Sequence, residues 1–381
     1  MLAVVHASLV LADHIEPDSW LLTEDGVIVS MGKMSCCPDL SGAEVFDAKG
    51  LCVAPGLVDI HCHAGGEVWF YDDPERAAGA LLRHGTTTVL PTLYFNFTKE
   101  QLAESFTLIR KAMKAGKVPN VAGFYTEAPY LNPKYGADTE NCPWTGPVRR
   151  EDYLPVLKAA GEDARVWVVA PEREHIEDFV KDARRISPGV RFAVGHSEAF
   201  PWQIEALMPY GLLIGTHNTN ATGGPKREGG RRAMGVDETI WYHDEIYAEL
   251  ISDKMGIHVD HAMQRFIRKV KGPGRMILIS DACSFEGQPP ENSGFDGADD
   301  LLFDFNGKLA GSKLYLLEAA RNYAAATGAG MPEVIRAASK NPAEAAGFTD
   351  RGELVPGKRA DLVVIDEHYG LKQVFFAGKP V

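Results

Sequence analysis

Between residues 57 and 281, short apolar runs alternate with helical stretches, and this alternation constrains the fold more than any other feature of the chain. Eight runs are predicted strands: Leu57–His63, Thr87–Leu93, Val121–Glu127, Val166–Pro171, Phe192–His196, Leu212–His217, Met255–His258 and Met276–Asp281. Gln101–Lys114 and Leu316–Thr327 have the apolar spacing of helices. Strand followed by helix, repeated, is the pattern of a parallel sheet with helical crossovers. Eight such units favour a closed (β/α)8 TIM-like barrel over an open, doubly wound sheet.

The two ends differ from the middle. Glu24-Asp25-Gly26 precedes Val27-Ile28-Val29, and the C-terminus repeats that turn-and-strand texture in Pro356-Gly357-Lys358 and Leu362-Val363-Val364-Ile365. The termini are therefore expected to pair into a small β-sandwich domain, residues 1–53 with 350–381, beside a barrel of residues 54–349. At 381 residues the chain has room for both.

A net charge of −13 argues against a nucleic-acid partner, since phosphate backbones need a basic face. It leaves room for a small anionic substrate held by a local basic cluster. The cysteines form no Cys-x-x-Cys pair, so a thiolate zinc site has little support, and adjacent Cys36 and Cys37 read as incidental loop thiols. The apolar N-terminal run is short and interrupted by His6, Asp13 and His14, which fits neither a signal peptide nor a membrane span. A cytoplasmic enzyme with no membrane or nucleic-acid partner is expected.

The chemistry collects at the predicted strand ends. Strand one ends in His61-Cys62-His63, strand three in Glu127, strand five in His196, strand six in His217, strand seven in His258 and strand eight in Asp281. Barrel enzymes build their sites at the C-terminal ends of strands, so these side chains are expected to share one mouth. Any one of these histidines, alone, reads as a hydrogen-bonded structural imidazole; the set reads otherwise. Imidazole and carboxylate suit zinc and related divalent ions, and Glu127, His196 and His217 supply the three protein ligands a catalytic site needs. Such an ion lowers the pKa of bound water towards about 7. Asp281 is the expected general base and then acid, its alternative role being a helix cap. His61 and His63 point to one side of their strand, either to hold a second ion bridged through Glu127 or to line the site. The basic run Lys226-Arg227-Glu228-Gly229-Gly230-Arg231-Arg232 is either a solvated loop or an anion clamp.

These motifs resemble the amidohydrolase superfamily and, within it, the N-acetylglucosamine-6-phosphate deacetylase family. The likeness spans nearly the whole chain, through Pro55-Gly56-Leu57-Val58-Asp59-Ile60-His61-Cys62-His63, Glu127-Ala128-Pro129, Gly195-His196-Ser197, Thr216-His217-Asn218-Thr219-Asn220-Ala221, Ser280-Asp281-Ala282 and Leu309-Ala310-Gly311-Ser312. It implies hydrolysis of the N-acetyl amide of an amino sugar, N-acetylglucosamine 6-phosphate or a close relative. It implies Glu127, His196 and His217 as metal ligands and Asp281 as catalytic acid/base. His258 matches a residue that contacts substrate and polarises the carbonyl; Asn220, Ala221, Arg227, Leu309, Ala310 and Gly311 match other substrate contacts. The expected cofactor is one or two divalent ions, zinc first, with iron or another ion as alternatives. The expected assembly is a homodimer, with Arg227 acting in its own or the neighbouring subunit.

The chain also departs from the family pattern. Tyr125-Thr126-Glu127-Ala128-Pro129 replaces His-Leu-Glu-Gly-Pro, and Asp138 stands where a substrate-binding histidine is usual, placing a carboxylate at an expected substrate contact. Two rival readings are a cyclic amidase and a barrel without activity. The first lacks the strand-four lysine that commonly bridges two ions, and the second does not explain why Glu127, His196, His217 and Asp281 are all present.

Overall fold

The computed structural model describes the whole chain except Asn292 and Asp296, and of Glu228 only the backbone. Eight strands form the barrel: β1 (Leu57–Cys62), β2 (Thr86–Leu93), β3 (Phe124–Thr126), β4 (Ala164–Val169), β5 (Arg191–Val194), β6 (Leu212–Gly215), β7 (Tyr247–Ile251) and β8 (Met276–Ile279). They pair in sequence order and each neighbouring pair is parallel. The ring closes between β8 and β1, where Asp281 N donates to His61 O at 3.0 Å and His63 N to Ala282 O at 2.9 Å.

Helices α1 (Pro74–Arg83), α2 (Lys99–Lys114), α3 (Arg150–Ala160), α4 (Ile176–Ile186), α5 (Pro201–Leu207), α6 (Val236–Tyr242), α7 (His261–Lys271) and α8 (Leu316–Thr327) follow the strands in turn. Because they cover the outer face while side chains fill the inside, strands such as β1 and β2 are buried along their whole length. Helix α2 starts where Thr98 and Gln101 cap each other, Thr98 Oγ1 accepting from Gln101 N at 3.3 Å and Gln101 Oε1 from Thr98 N at 2.9 Å. Helix α4 buries Phe179 edge-on against Tyr153 and Trp167, at ring separations of 5.4 and 5.5 Å. Truncating Phe179 to alanine is worth about 3–5 kcal/mol of stability by analogy with other buried aromatics.

The seventh strand lies elsewhere than expected. Met255–His258 belongs to a turn, and the strand is Tyr247–Ile251. Glu249 in its middle breaks the apolar run that marks the other strands, yet it is fully buried inside the barrel. After β8 the chain makes a long excursion before α8. A two-stranded hairpin, Leu301–Phe303 with Leu309–Ser312, brings that excursion back over the barrel, where Ser312 N donates to Asp281 O at 2.9 Å.

The termini form one mixed sheet. Leu2–Val10 pairs antiparallel with Ile15–Glu24 and parallel with Glu44–Asp47 and Cys52–Pro55, and Cys52–Pro55 pairs antiparallel with Leu362–Ile365. This sheet has its own apolar core, including Leu9, Leu21, Ile28, Val53, Leu362 and Phe375. We propose treating residues 1–53 with 350–381 as one unit and 54–349 as the other.

Candidate metal centre

Five strands deliver side chains to the barrel mouth just beyond their last paired residues. Glu127 follows β3, His196 follows β5, His217 follows β6 and Asp281 follows β8, while His61 and His63 lie at the end of β1. His196, His217 and Asp281 have left-handed backbones, with φ of 45°, 28° and 46°. For such residues this conformation costs on the order of 1–3 kcal/mol each and is usually found where function holds it. Gly195 is needed just before His196, because a Cβ there would lie 1.9 Å from Thr216 Cγ2 of the neighbouring strand's end.

The Nε2 atoms of His196 and His217 are 2.9 Å apart, and each is 3.0 Å from Glu127 Oε1. On the other side of that carboxylate, His63 Nε2 lies 3.3 Å from Glu127 Oε2 and 3.4 Å from Asp281 Oδ1. His61 Nε2 is 3.6 Å from both Glu127 Oε1 and Asp281 Oδ1, buried, and without a hydrogen-bond partner. The donors thus form two triads, Glu127–His196–His217 and His61–His63–Asp281, with Glu127 between them. Two imidazole nitrogens at 2.9 Å repel unless a proton or a cation lies between them. Nitrogen and carboxylate oxygen at this spacing fit a divalent ion.

Charge in the cluster follows the same logic. Burial pushes the Glu127 carboxyl up, but the charges of His61 and His196 and the bonds from His196 and His217 outweigh it and hold it well below its usual range. Burial likewise raises Asp281, but the hydrogen bond from His63 and the charges of His61 and His63 bring it below normal. Burial would lower His61, yet Glu127 and Glu249 raise it well above the ordinary imidazole value. Protons on these imidazoles and a divalent cation are alternative ways to neutralise the same carboxylates.

A cavity of about 250 Å³ opens over the triads. His258, Asn220, Ala221, Leu309, Ala310 and Gly311 line it, so most expected contacts are brought together. His258 arrives from the turn after β7 rather than from a strand end. Asp253 shapes that turn, accepting from the N–H groups of Met255, Ile257 and His258 at 3.1, 2.8 and 2.9 Å and facing His258 Nδ1 at 3.4 Å. The expected substrate contact Asp138 does not line the cavity. Its carboxylate is turned to Asn96 and to Asn141, the latter at 2.6 Å. Arg227 is also outside it, exposed on a hairpin where it donates to Gly230 O at 3.2 Å. No lysine or arginine lines the cavity among the described residues, and Tyr94, Phe95 and Phe285 form an aromatic wall.

Sequence reasoning missed Asp253 and Glu249. Asp253 stands five residues before His258, ahead of the run Met255–His258 expected as the strand, and Glu249 lies in the true seventh strand, Tyr247–Ile251. The available signal was an acid within or just after the seventh strand, like Glu127 and Asp281 after the third and eighth.

The amidohydrolase family model matches residues 238–381. The chain is 26% identical over 377 residues to the N-acetylglucosamine-6-phosphate deacetylase of Lysinibacillus sphaericus, covering 95% of this chain and 92% of that one. Over nearly its whole length the chain resembles these amidohydrolases. The chain is also 29% identical to the N-acetylgalactosamine-6-phosphate deacetylase of Escherichia coli O157:H7, over 95% of its length and 94% of that protein's. A mutant N-acetyl-D-glucosamine-6-phosphate deacetylase from Mycobacterium smegmatis, in complex with N-acetyl-D-glucosamine-6-phosphate, superposes with a TM-score of 0.82 at 25% identity, covering 100% of this chain and 98% of that one.

Proposed function

We propose that the chain is an amidohydrolase that removes the acetyl group from an N-acetylated amino sugar, N-acetylglucosamine 6-phosphate or a close relative. The observation that carries this reading is the meeting of Glu127, His196 and His217 within 3.0 Å of one another, with Asp281 across the Glu127 carboxylate. The relatives and the sugar-bound neighbour support the substrate class.

A divalent ion held by Glu127, His196 and His217 supplies Lewis acidity and a water of lowered pKa. Asp281 is kept ionised by His61 and His63, so it takes the proton from the attacking water. It then passes that proton to the departing nitrogen, so that acetate and the free amine leave. His258 lines the cavity with its Nδ1 facing Asp253, and its Nε2 is the group we assign to donate to the amide oxygen as charge develops there. Asn220, Ala221 and Leu309–Gly311 shape the space for the sugar. We assign zinc as the native ion, a homodimer as the assembly, and Arg227 as the group that binds the phosphate, in its own or the neighbouring subunit. Among the described residues no helix is long and apolar enough to cross a membrane, and the cysteines are free thiols; we place the enzyme in the cytoplasm.

An amine-release screen tests this reading. N-acetylglucosamine, N-acetylgalactosamine and their 6-phosphates are compared with N-acyl amino acids and cyclic amides, using metal-loaded protein. Turnover confined to the amino sugars is expected; turnover only of cyclic amides refutes the assignment.

A further inference from the structure

Strand β7 brings one more acid beneath the site. Glu249 has 0% exposure, and among the described residues its ion-pair partner is His61. Its Oε2 lies 3.1 Å from His61 Nδ1, 2.8 Å from Thr216 Oγ1 and 3.2 Å from the Tyr125 hydroxyl, and accepts from His217 N at 3.3 Å. Its Oε1 has no hydrogen-bond partner.

A carboxylate taken wholly out of water is strongly disfavoured unless positive charge stands near it. Among the described residues the ionisable base that faces Glu249 is His61. Donating Nδ1–H to Glu249 leaves the His61 lone pair on Nε2, the buried atom that faces Glu127 and Asp281 at 3.6 Å. The opposite tautomer would set a lone pair against a carboxylate. A carboxylate behind an imidazole both orients the ring and strengthens it as a ligand. Thr216, just after the adjacent β6, and Tyr125, on β3 across the barrel interior, both meet the Glu249 carboxylate.

We propose that Glu249 is a positioning residue: by locking His61 with its Nε2 lone pair towards Glu127 and Asp281, it governs whether a cation is held on the His61 side of Glu127. This rests on the reading that Glu127, His196 and His217 hold the first ion. It makes the number of ions per chain a property of a residue that touches neither ion nor substrate.

Equilibrium dialysis with Mn²⁺, followed by metal analysis and electron paramagnetic resonance, tests the assignment on wild type, Glu249→Gln and Thr216→Val. Wild type is expected to hold two ions per chain with a spin-coupled pair signal. In Glu249→Gln the weaker site should lose affinity by about 10–100-fold, with the coupled signal gone and the tighter site unchanged. Thr216→Val keeps the carboxylate and should retain both ions. A single ion in wild type, or unchanged affinities in Glu249→Gln, overturns the inference while leaving the first site intact. Loss of the tighter site in wild type sinks the deacetylase reading instead. Should Glu249→Gln fail to fold, histidine ¹⁵N resonances of wild type decide: His61 must carry its proton on Nδ1, and a proton on Nε2 overturns the proposal.

Discussion

Replacing Asp281 by asparagine separates proton transfer from metal binding and from folding. Asp281 occupies a left-handed backbone position, φ 46°, a conformation that asparagine, like aspartate, tolerates better than most non-glycine residues. The amide has the same shape and keeps a polar atom near His63 Nε2, now 3.4 Å from Oδ1. The Glu127–His196–His217 triad does not include Asp281, so the first ion should stay. What disappears is the basic carboxylate. General acid–base catalysis by one placed group is worth about 10²–10⁴-fold, or roughly 3–5 kcal/mol of barrier. Asp281→Asn should therefore lower kcat by that factor, with little change in KM and near-normal metal content at the first site. The assay is steady-state amine release beside metal analysis and thermal melting. A kcat within tenfold of wild type, at equal loading, would refute a proton-transfer role for Asp281.

Chelation followed by dialysis should abolish turnover and lower the melting temperature, because a bound ion adds about 2.7 kcal/mol when present at ~100 times its Kd; an unchanged melt would count against a buried ion. Asp253→Ala leaves buried backbone N–H groups of the 255–258 turn without an acceptor, at about 1–3 kcal/mol per group, and should lower the melting temperature and kcat together. Burial raises Asp253, but His258 and the backbone N–H groups of Ile257 and His258 outweigh it and bring the carboxyl from 3.8 to about 2. Its folded pKa is depressed, so its stabilisation is full above about pH 4 and fades as pH falls towards 2; acid unfolding of Asp253→Ala should lack that component. Arg227→Ala should raise KM for 6-phosphorylated sugars far more than for neutral ones, and equal effects would remove Arg227 from phosphate binding.

Much of this arrangement was legible before any fold was known. Seven of the strands could be placed because a strand covered on both faces is an unbroken apolar run, and their ends carried the imidazoles and carboxylates. The seventh was misplaced because Tyr247-Ala248-Glu249-Leu250-Ile251 carries a charge, while Met255-Gly256-Ile257-His258 looks apolar. Glu249 can sit there only because His61, Thr216 and Tyr125 come to it from other strands. Asp138 shows tertiary contacts deciding an orientation. Its position in the chain suggested a pocket carboxylate, but Asn96 and Asn141 draw it aside.

The amino-acid sequence by itself determined the βα alternation and the kinds of ligand available at the barrel mouth, since strand period and donor chemistry are local properties. It also determined that His61 and His63 share one side of β1. Only the tertiary structure decided which atoms meet. Glu127 lies between two triads, and a carboxylate 188 residues from His61 faces its Nδ1. Those choices depend on barrel closure and on the crowding that turns each side chain, and nothing in a residue's neighbours along the chain encodes them.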